Sequence, residues 1–220
     1  MRMFKVEGIP NFAAGVYAWI AKNNPCIKDY HEAVISEICS KASTGRLRLL
    51  DIGTGPGYVP IEIAKRCPDI EVTGIDLSSK MIELADKNAQ AAGLSSRVKF
   101  QVANAGALPF EDSHFDIIIS TLSFHHWANP AAYIDELWRC LKTGGHLCIY
   151  DLLRDTTSQI NAEMRRKYGW FLSFLFLNIV RAHSSIELSY AEGVLSSVKA
   201  NFSKKIVQGE GVIISLQLVK

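Results

Sequence analysis

Leu47-Arg48-Leu49-Leu50-Asp51-Ile52-Gly53-Thr54-Gly55-Pro56-Gly57 decides the fold. A short apolar run leads directly into three glycines at G-x-G-x-G spacing, the pattern of a buried strand entering a turn. Glycine permits positive φ and lets a ligand approach the backbone closely. In an open α/β sheet, ligands bind at this carboxyl edge, beside the point where strand order reverses. The spacing differs from that of a dinucleotide turn, G-x-G-x-x-G. It also lacks the Gly-Lys-Ser/Thr that a phosphate loop requires.

Downstream, strand and helix patterns alternate. A helix is expected from Tyr58 to Cys67, a strand from Glu71 to Ile75, and a helix capped by Ser78 or Ser79 that stops at Gly93. Strands follow at Val98–Val102 and Phe115–Thr121, then a helix from Ala131 to Leu141 and a strand from His146 to Tyr150. Strands without a polar face, separated by helices, imply a parallel sheet covered on both sides. The expected architecture is a doubly wound, mostly parallel seven-stranded α/β sheet. It ends in an antiparallel hairpin, Lys204–Gln208 with Val212–Val219, preceded by a helix from Ser189 to Phe202.

One domain fits the 220 residues. Residues 1–45 read as a two-helix cap (Phe12, Val16, Trp19 and Ile20, then Ala33 to Ile38) and 46–151 as the core. Residues 152–188 read as an aromatic-rich helical lid over the substrate, and 189–220 as the closing helix and hairpin. A net charge of +2, with no basic run longer than three, gives no reason to expect nucleic acid. The five cysteines are odd in number and lack C-x-x-C spacing, which suits reduced, buried thiols in a cytoplasmic protein better than disulfides or zinc. The N-terminus has no signal-peptide pattern. The most apolar stretch, Tyr168–Val180, has 13 residues and is too short to cross a bilayer.

Asp76 gives the glycine turn a chemical partner. It ends the second strand, and parallel pairing with the first would bring its carboxylate to the same edge, where it could accept hydrogen bonds from both hydroxyls of a ribose. Charge-assisted bonds of this kind contribute about 1.5–3 kcal/mol each. The simpler reading is a cap for the helix that begins near Ser78.

With these residues the chain resembles the class I S-adenosylmethionine (SAM)-dependent methyltransferases, and most of all the subgroup similar to the ubiquinone/menaquinone C-methyltransferases. Further motifs that carry the resemblance are Asn104-Ala105-Gly106-Ala107-Leu108-Pro109-Phe110, Phe115-Asp116, Phe124-His125-His126-Trp127 and Arg139-Cys140-Leu141-Lys142-Thr143-Gly144-Gly145. The resemblance implies SAM as cofactor, with Asp51 and the Gly53 backbone on the methionine ammonium and Asp76 on the ribose. Leu77 would pack on the adenine, Asn104 and the backbone of Ala105 would read its edge, and the stretch from Thr121 to Phe124 would lie near the sulfonium. Thr54, Gly55, Gly57 and Met81 complete the implied cofactor set. Asn104 stands where relatives commonly have Asp, and Thr143 where they usually have Pro.

Methyl transfer from a sulfonium needs alignment and exclusion of water, and well-oriented reactants gain about 7–11 kcal/mol in this way. A general base is required only if the acceptor keeps its proton near neutral pH, and His125 or His126 could serve. Packing of the loop is the plainer role for that pair. No metal site is expected. Tyr17, Tyr30 and His31 are candidates to close over the cofactor. Tyr168, Trp170, Phe171, Phe174 and Phe176 would suit an apolar or aromatic small-molecule acceptor, though a packing helix or a homodimer contact fits them equally. Arg165-Arg166-Lys167 could meet an anionic substrate or simply end a solvated helix. The function expected is methyl transfer to a small molecule. The alternatives are a SAM-binding module acting through a partner protein, and an NAD-dependent oxidoreductase.

Overall fold

The computed structural model describes residues 14–41, 45–176 and 185–220. Phe12 of the expected first helix, residues 177–184 of the expected lid, and His183 lie outside them. The chain runs α1 (Ala14–Asn23), α2 (Pro25–Lys41), β1 (Leu47–Ile52), α3 (Tyr58–Arg66), β2 (Ile70–Asp76), α4 (Ser79–Ala91), β3 (Val98–Val102) and β4 (Phe115–Thr121). A 3₁₀ turn (Phe124–His126) leads to α5 (Pro130–Cys140), β5 (Leu141–Leu153), α6 (Ser158–Tyr168), α7 (Trp170–Leu175) and β6 (Ser185–Ile186). The chain closes with α8 (Leu188–Ser197), β7 (Lys204–Glu210) and β8 (Ile213–Val219).

Sheet order is β3-β2-β1-β4-β5-β8-β7, with β6 paired to the end of β5. Strands β1 to β5 run parallel, while β8 and β7 are antiparallel. The two-residue β6 is an eighth strand beyond the seven expected. Strand order reverses between β1 and β4, so the glycine turn leaves β1 at the switch point.

Why the strands lack a polar face is visible in their packing. Leu49, Ile117 and Ile119 join the core beneath α2 and α3, while Leu50, Ile118 and Ile149 join the core beneath α5 and α8. Successive side chains alternate between two covered faces, so both must be apolar.

Several boundaries differ from those expected. Helix α8 stops at Ser197 rather than Phe202: the Ser196 and Ser197 hydroxyls turn back on the Gly193 carbonyl (2.7 and 3.2 Å). Beyond it, Asp135 accepts from the Lys199 and Ala200 amides and fixes the chain outside the helix. Trp19 faces outward, 67% exposed, despite its helical apolar spacing. Cys39 and Cys67 form a disulfide between the neighbouring helices α2 and α3, correcting the reading of five reduced thiols. The other three, Cys26, Cys140 and Cys148, are free and buried.

Ile118 is fully buried at the centre of β4. Ile118→Ala should lower unfolding free energy by about 2–5 kcal/mol in a denaturant titration. A loss under about 1 kcal/mol would mean that this strand is not the core of the sheet.

Candidate active site

The turn after β1 is fastened to the end of β2. Gly53 and Thr54 both donate their amides to the Ile75 carbonyl at 2.9 Å. Gly53 has φ +71°, and a Cβ there would lie 2.5 Å from the Ser123 side chain. Any other residue would therefore be strained in backbone and in space. Asp76 completes the closure: one carboxylate oxygen accepts from the Gly55 amide and the other from the Ser78 amide, each at 2.9 Å. Ser78 itself caps α4, its hydroxyl accepting from Met81 at 3.3 Å. The two readings of Asp76 are thus compatible, since one carboxylate spans the glycine turn and the start of α4.

A cavity opens to solvent at this edge. Of the residues expected from the sequence, Gly53, Gly55, Asp76, Leu77, Met81, Asn104, Ala105 and His126 line it, as does Tyr17 from α1. Thr54, Thr121 and His31 line an adjoining recess shared with Gly53, Gly55 and Tyr17. Burial makes the recess apolar enough to push His31 down to about 4, so it is neutral near pH 7. Asn104 uses its side-chain carbonyl to accept from the Gly106 amide (2.8 Å), which leaves that oxygen a second lone pair.

Four expected residues, Asp51, Gly57, Phe124 and His125, line neither the cavity nor the recess. Gly57 caps α3 at φ +78°, and a Cβ there would meet the Phe100 ring at 2.7 Å. Its role is to let the turn enter the helix against β3. Phe124 is fully buried against Trp127, in the core rather than on the cavity wall.

Electrostatics mark the cavity as well. Asp51 is 1% exposed, and its Oδ1 has no hydrogen-bond partner. Burial first, and the Asp76 carboxylate second, push it from 3.8 to about 7, with the Thr54 hydroxyl pulling the other way. Burial also raises Asp76, against the stabilising amides of Ser78, Gly55 and Leu77. Tyr17 is pushed up to about 12 by burial and then by Asp76 and Asp151, so it remains a protonated donor between two carboxylates.

The histidine pair divides. His126 borders the cavity. His125 lies behind it, its ring 4.1 Å from that of His126, with Nδ1 at 3.0 Å from both oxygens of the buried Asp151. The His125 backbone amide also donates to Asp151 at 2.9 Å. A carboxylate only accepts, so Nδ1 carries a proton toward Asp151, and Nε2 is buried without a partner.

Leu122 and Ser123, within the expected Thr121–Phe124 stretch, also line the cavity; Trp127 and Tyr133 line it too and were not anticipated, nor was Asp151. Leu122 holds φ +51°, with its amide on the Tyr150 carbonyl (3.0 Å). A leucine there costs of order 1–3 kcal/mol, and such residues cluster at ligand sites. One signal was available for Asp151: it is an aspartate near the carboxyl end of an apolar strand, as Asp51 and Asp76 are.

Comparisons with known proteins agree with this geometry. Residues 50–149 match the family model described as "Methyltransferase domain". The 27-O-demethylrifamycin SV methyltransferase of Amycolatopsis mediterranei is 33% identical over 75% of this chain and 63% of its own length. The ubiquinone/menaquinone biosynthesis C-methyltransferase of Geotalea daltonii is 36% identical over 47% of this chain and 45% of its own. By these matches the chain resembles the class I SAM-dependent methyltransferases.

It spans about half to two thirds of the length of those two relatives. The fold extends further than the sequence likeness. A Methanococcus maripaludis structure assigned as a SAM-dependent methyltransferase superposes with a TM-score of 0.74 at 24% identity, covering 100% of this chain and 96% of that one. Two observations fit the cofactor such proteins use: a turn whose glycines Gly53 and Gly55 take positive φ beside the cavity, and an orphaned carboxylate oxygen on Asp51.

A pH dependence follows for the ligand-free protein. The folded state holds the Asp51 proton more tightly than the unfolded chain does. The stability this contributes is full below about pH 4 and is lost as pH rises through about 7. In thermal melts without ligand, wild type should lose stability relative to Asp51→Asn between about pH 4 and pH 8. Parallel curves would show that Asp51 is not desolvated.

Proposed function

We propose that the protein transfers the methyl group of SAM to a small molecule with an apolar or aromatic face. The observation that carries this reading is the pairing of Asp76, on the cavity wall and tied to the glycine turn, with the buried Asp51 that its charge reaches and whose Oδ1 has no partner. SAM, when bound, supplies a methyl group already activated by its sulfonium charge. The chain's residues then have to bind, orient and exclude water. Asp51 is suited to an ammonium and Asp76 to vicinal hydroxyls. Leu77, Met81, Ala103 and Ala105 offer apolar contact to a purine, and Asn104 offers a hydrogen bond at its edge.

The acceptor class is supported by the names of the relatives, whose substrates are a rifamycin and quinones. For an acceptor that must lose a proton, His126 is the candidate base because it borders the cavity. His125, fixed by Asp151, holds the turn that presents it. Where an acceptor is turned over, His126→Ala should lower kcat about 10²-fold with SAM affinity unchanged. A kcat within about threefold of wild type would remove the base role.

Binding tests the reading before any acceptor is known. Asp76→Ala should weaken SAM about tenfold or more by calorimetry while the circular dichroism spectrum stays that of wild type. An unchanged affinity would take Asp76 out of the site, and binding of NAD in place of SAM would overturn the methyltransferase reading.

A further inference from the structure

In the described part of the segment expected to be a lid, three aromatics face outward. No residue of α6 or α7 lines the cavity. Their hairpin is pinned to the body by Met164 and Phe176, both buried in the core beneath α2. The Ser173 hydroxyl donates to the Met164 carbonyl at 2.8 Å, and the Tyr168 hydroxyl donates to Asp29 at 2.6 Å. On the opposite side of α7, Trp170, Phe171 and Phe174 stand 68, 65 and 48% exposed. The Trp170 and Phe174 rings stack at 5.4 Å. Positions i, i+1 and i+4 form one helical face, so this is a continuous aromatic patch on an anchored element.

Basic residues outnumber acidic ones beside it. Arg165 and Arg166, at the end of α6, are exposed and, among the described residues, in no ion pair. Lys167 is held by Asp29 at 2.8 Å. The nearest acid on the helix, Glu163, accepts from Gln159 at 3.4 Å. Aromatic rings flanked by free guanidinium groups match the layered chemistry of a bilayer surface, where apolar side chains enter the headgroup boundary and cations meet lipid phosphates. A second copy of the chain fits less well. Three such rings present about 300–400 Å² of apolar surface, against about 800 Å² per partner in a stable interface.

We propose that the α6–α7 hairpin seats the protein on an anionic lipid bilayer, with Trp170, Phe171 and Phe174 in the headgroup layer and Arg165 and Arg166 on lipid phosphates. The hairpin follows the carboxyl end of β5, so it lies at the same sheet edge as the cavity. Seated in this way, the protein would draw apolar acceptors from the membrane surface, a consequence that rests on the methyltransferase reading; the lipid contact itself does not.

Co-sedimentation with extruded vesicles tests the proposal. Vesicles of phosphatidylglycerol and phosphatidylcholine in equal parts are compared with phosphatidylcholine alone, using the full chain. The expected result is binding to the anionic vesicles about tenfold or more tighter than to the neutral ones, weakened by high salt. The triple variant Trp170→Ser, Phe171→Ser, Phe174→Ser and the double variant Arg165→Gln, Arg166→Gln should each lose about tenfold or more in lipid affinity. Because the altered side chains are exposed, melting temperature and SAM affinity should stay at the wild-type values, so lipid binding and cofactor binding can fail separately. Equal binding by the variants, no binding by wild type, or a dimer by light scattering that the triple variant lacks would overturn the proposal.

Discussion

One carboxylate holds the cofactor edge together. Asp76 accepts from the amide of Gly55 on the turn after β1 and from the amide of Ser78 at the start of α4. Two segments from adjacent strands are thereby fixed in one geometry. The turn is closed from the other side by Ser123, whose side chain occupies the space a Cβ at Gly53 would need and whose hydroxyl donates to the Ile52 carbonyl at 3.1 Å. The remaining walls, from Leu77 to Tyr133, are hung on this frame. A site whose donors and acceptors are in place before the ligand arrives loses less freedom on binding, which is the general advantage of preorganisation.

The same edge is costly to fold. Asp51, Asp76 and Asp151 all lie near the carboxyl ends of strands, and Asp51 and Asp151 are almost wholly buried. Each solves the problem of its charge differently. Asp76 takes two backbone amides, while Asp151 takes the His125 ring and amide. Asp51 leaves one oxygen unpaired and is held well above the ordinary carboxylate range. Leu122 adds a left-handed backbone beside them. Desolvated charge and local strain collected at one end of a sheet are what a binding site needs and a stability optimum would avoid.

Much of this was legible in the sequence because it is local. The run from Leu47 to Gly57 encodes a strand and a turn in adjacent residues, and the parallel β1–β2 pairing brings Asp76 to the same edge. What was not legible depends on facing and tertiary contact. Phe124 and His126 sit two residues apart on a 3₁₀ turn, and the turn sends one into the core and the other to the cavity. Aromatic density between Tyr168 and Phe176 marked a helix, yet the side it would bury is decided by Met164 and Phe176 packing under α2. Cys39 and Cys67 are 28 residues apart, and only the packing of α2 on α3 makes them neighbours. Asp151 needed a comparison between strand ends that the glycine motif does not prompt.

The central claim is spatial, and a crystal structure with S-adenosylhomocysteine tests it most directly. Ribose hydroxyls are expected on the Asp76 carboxylate, the amino-acid end of the ligand toward Asp51, and the adenine against Leu77. A nucleoside bound at any other edge of the sheet, or one whose ribose makes no contact with Asp76, would contradict it.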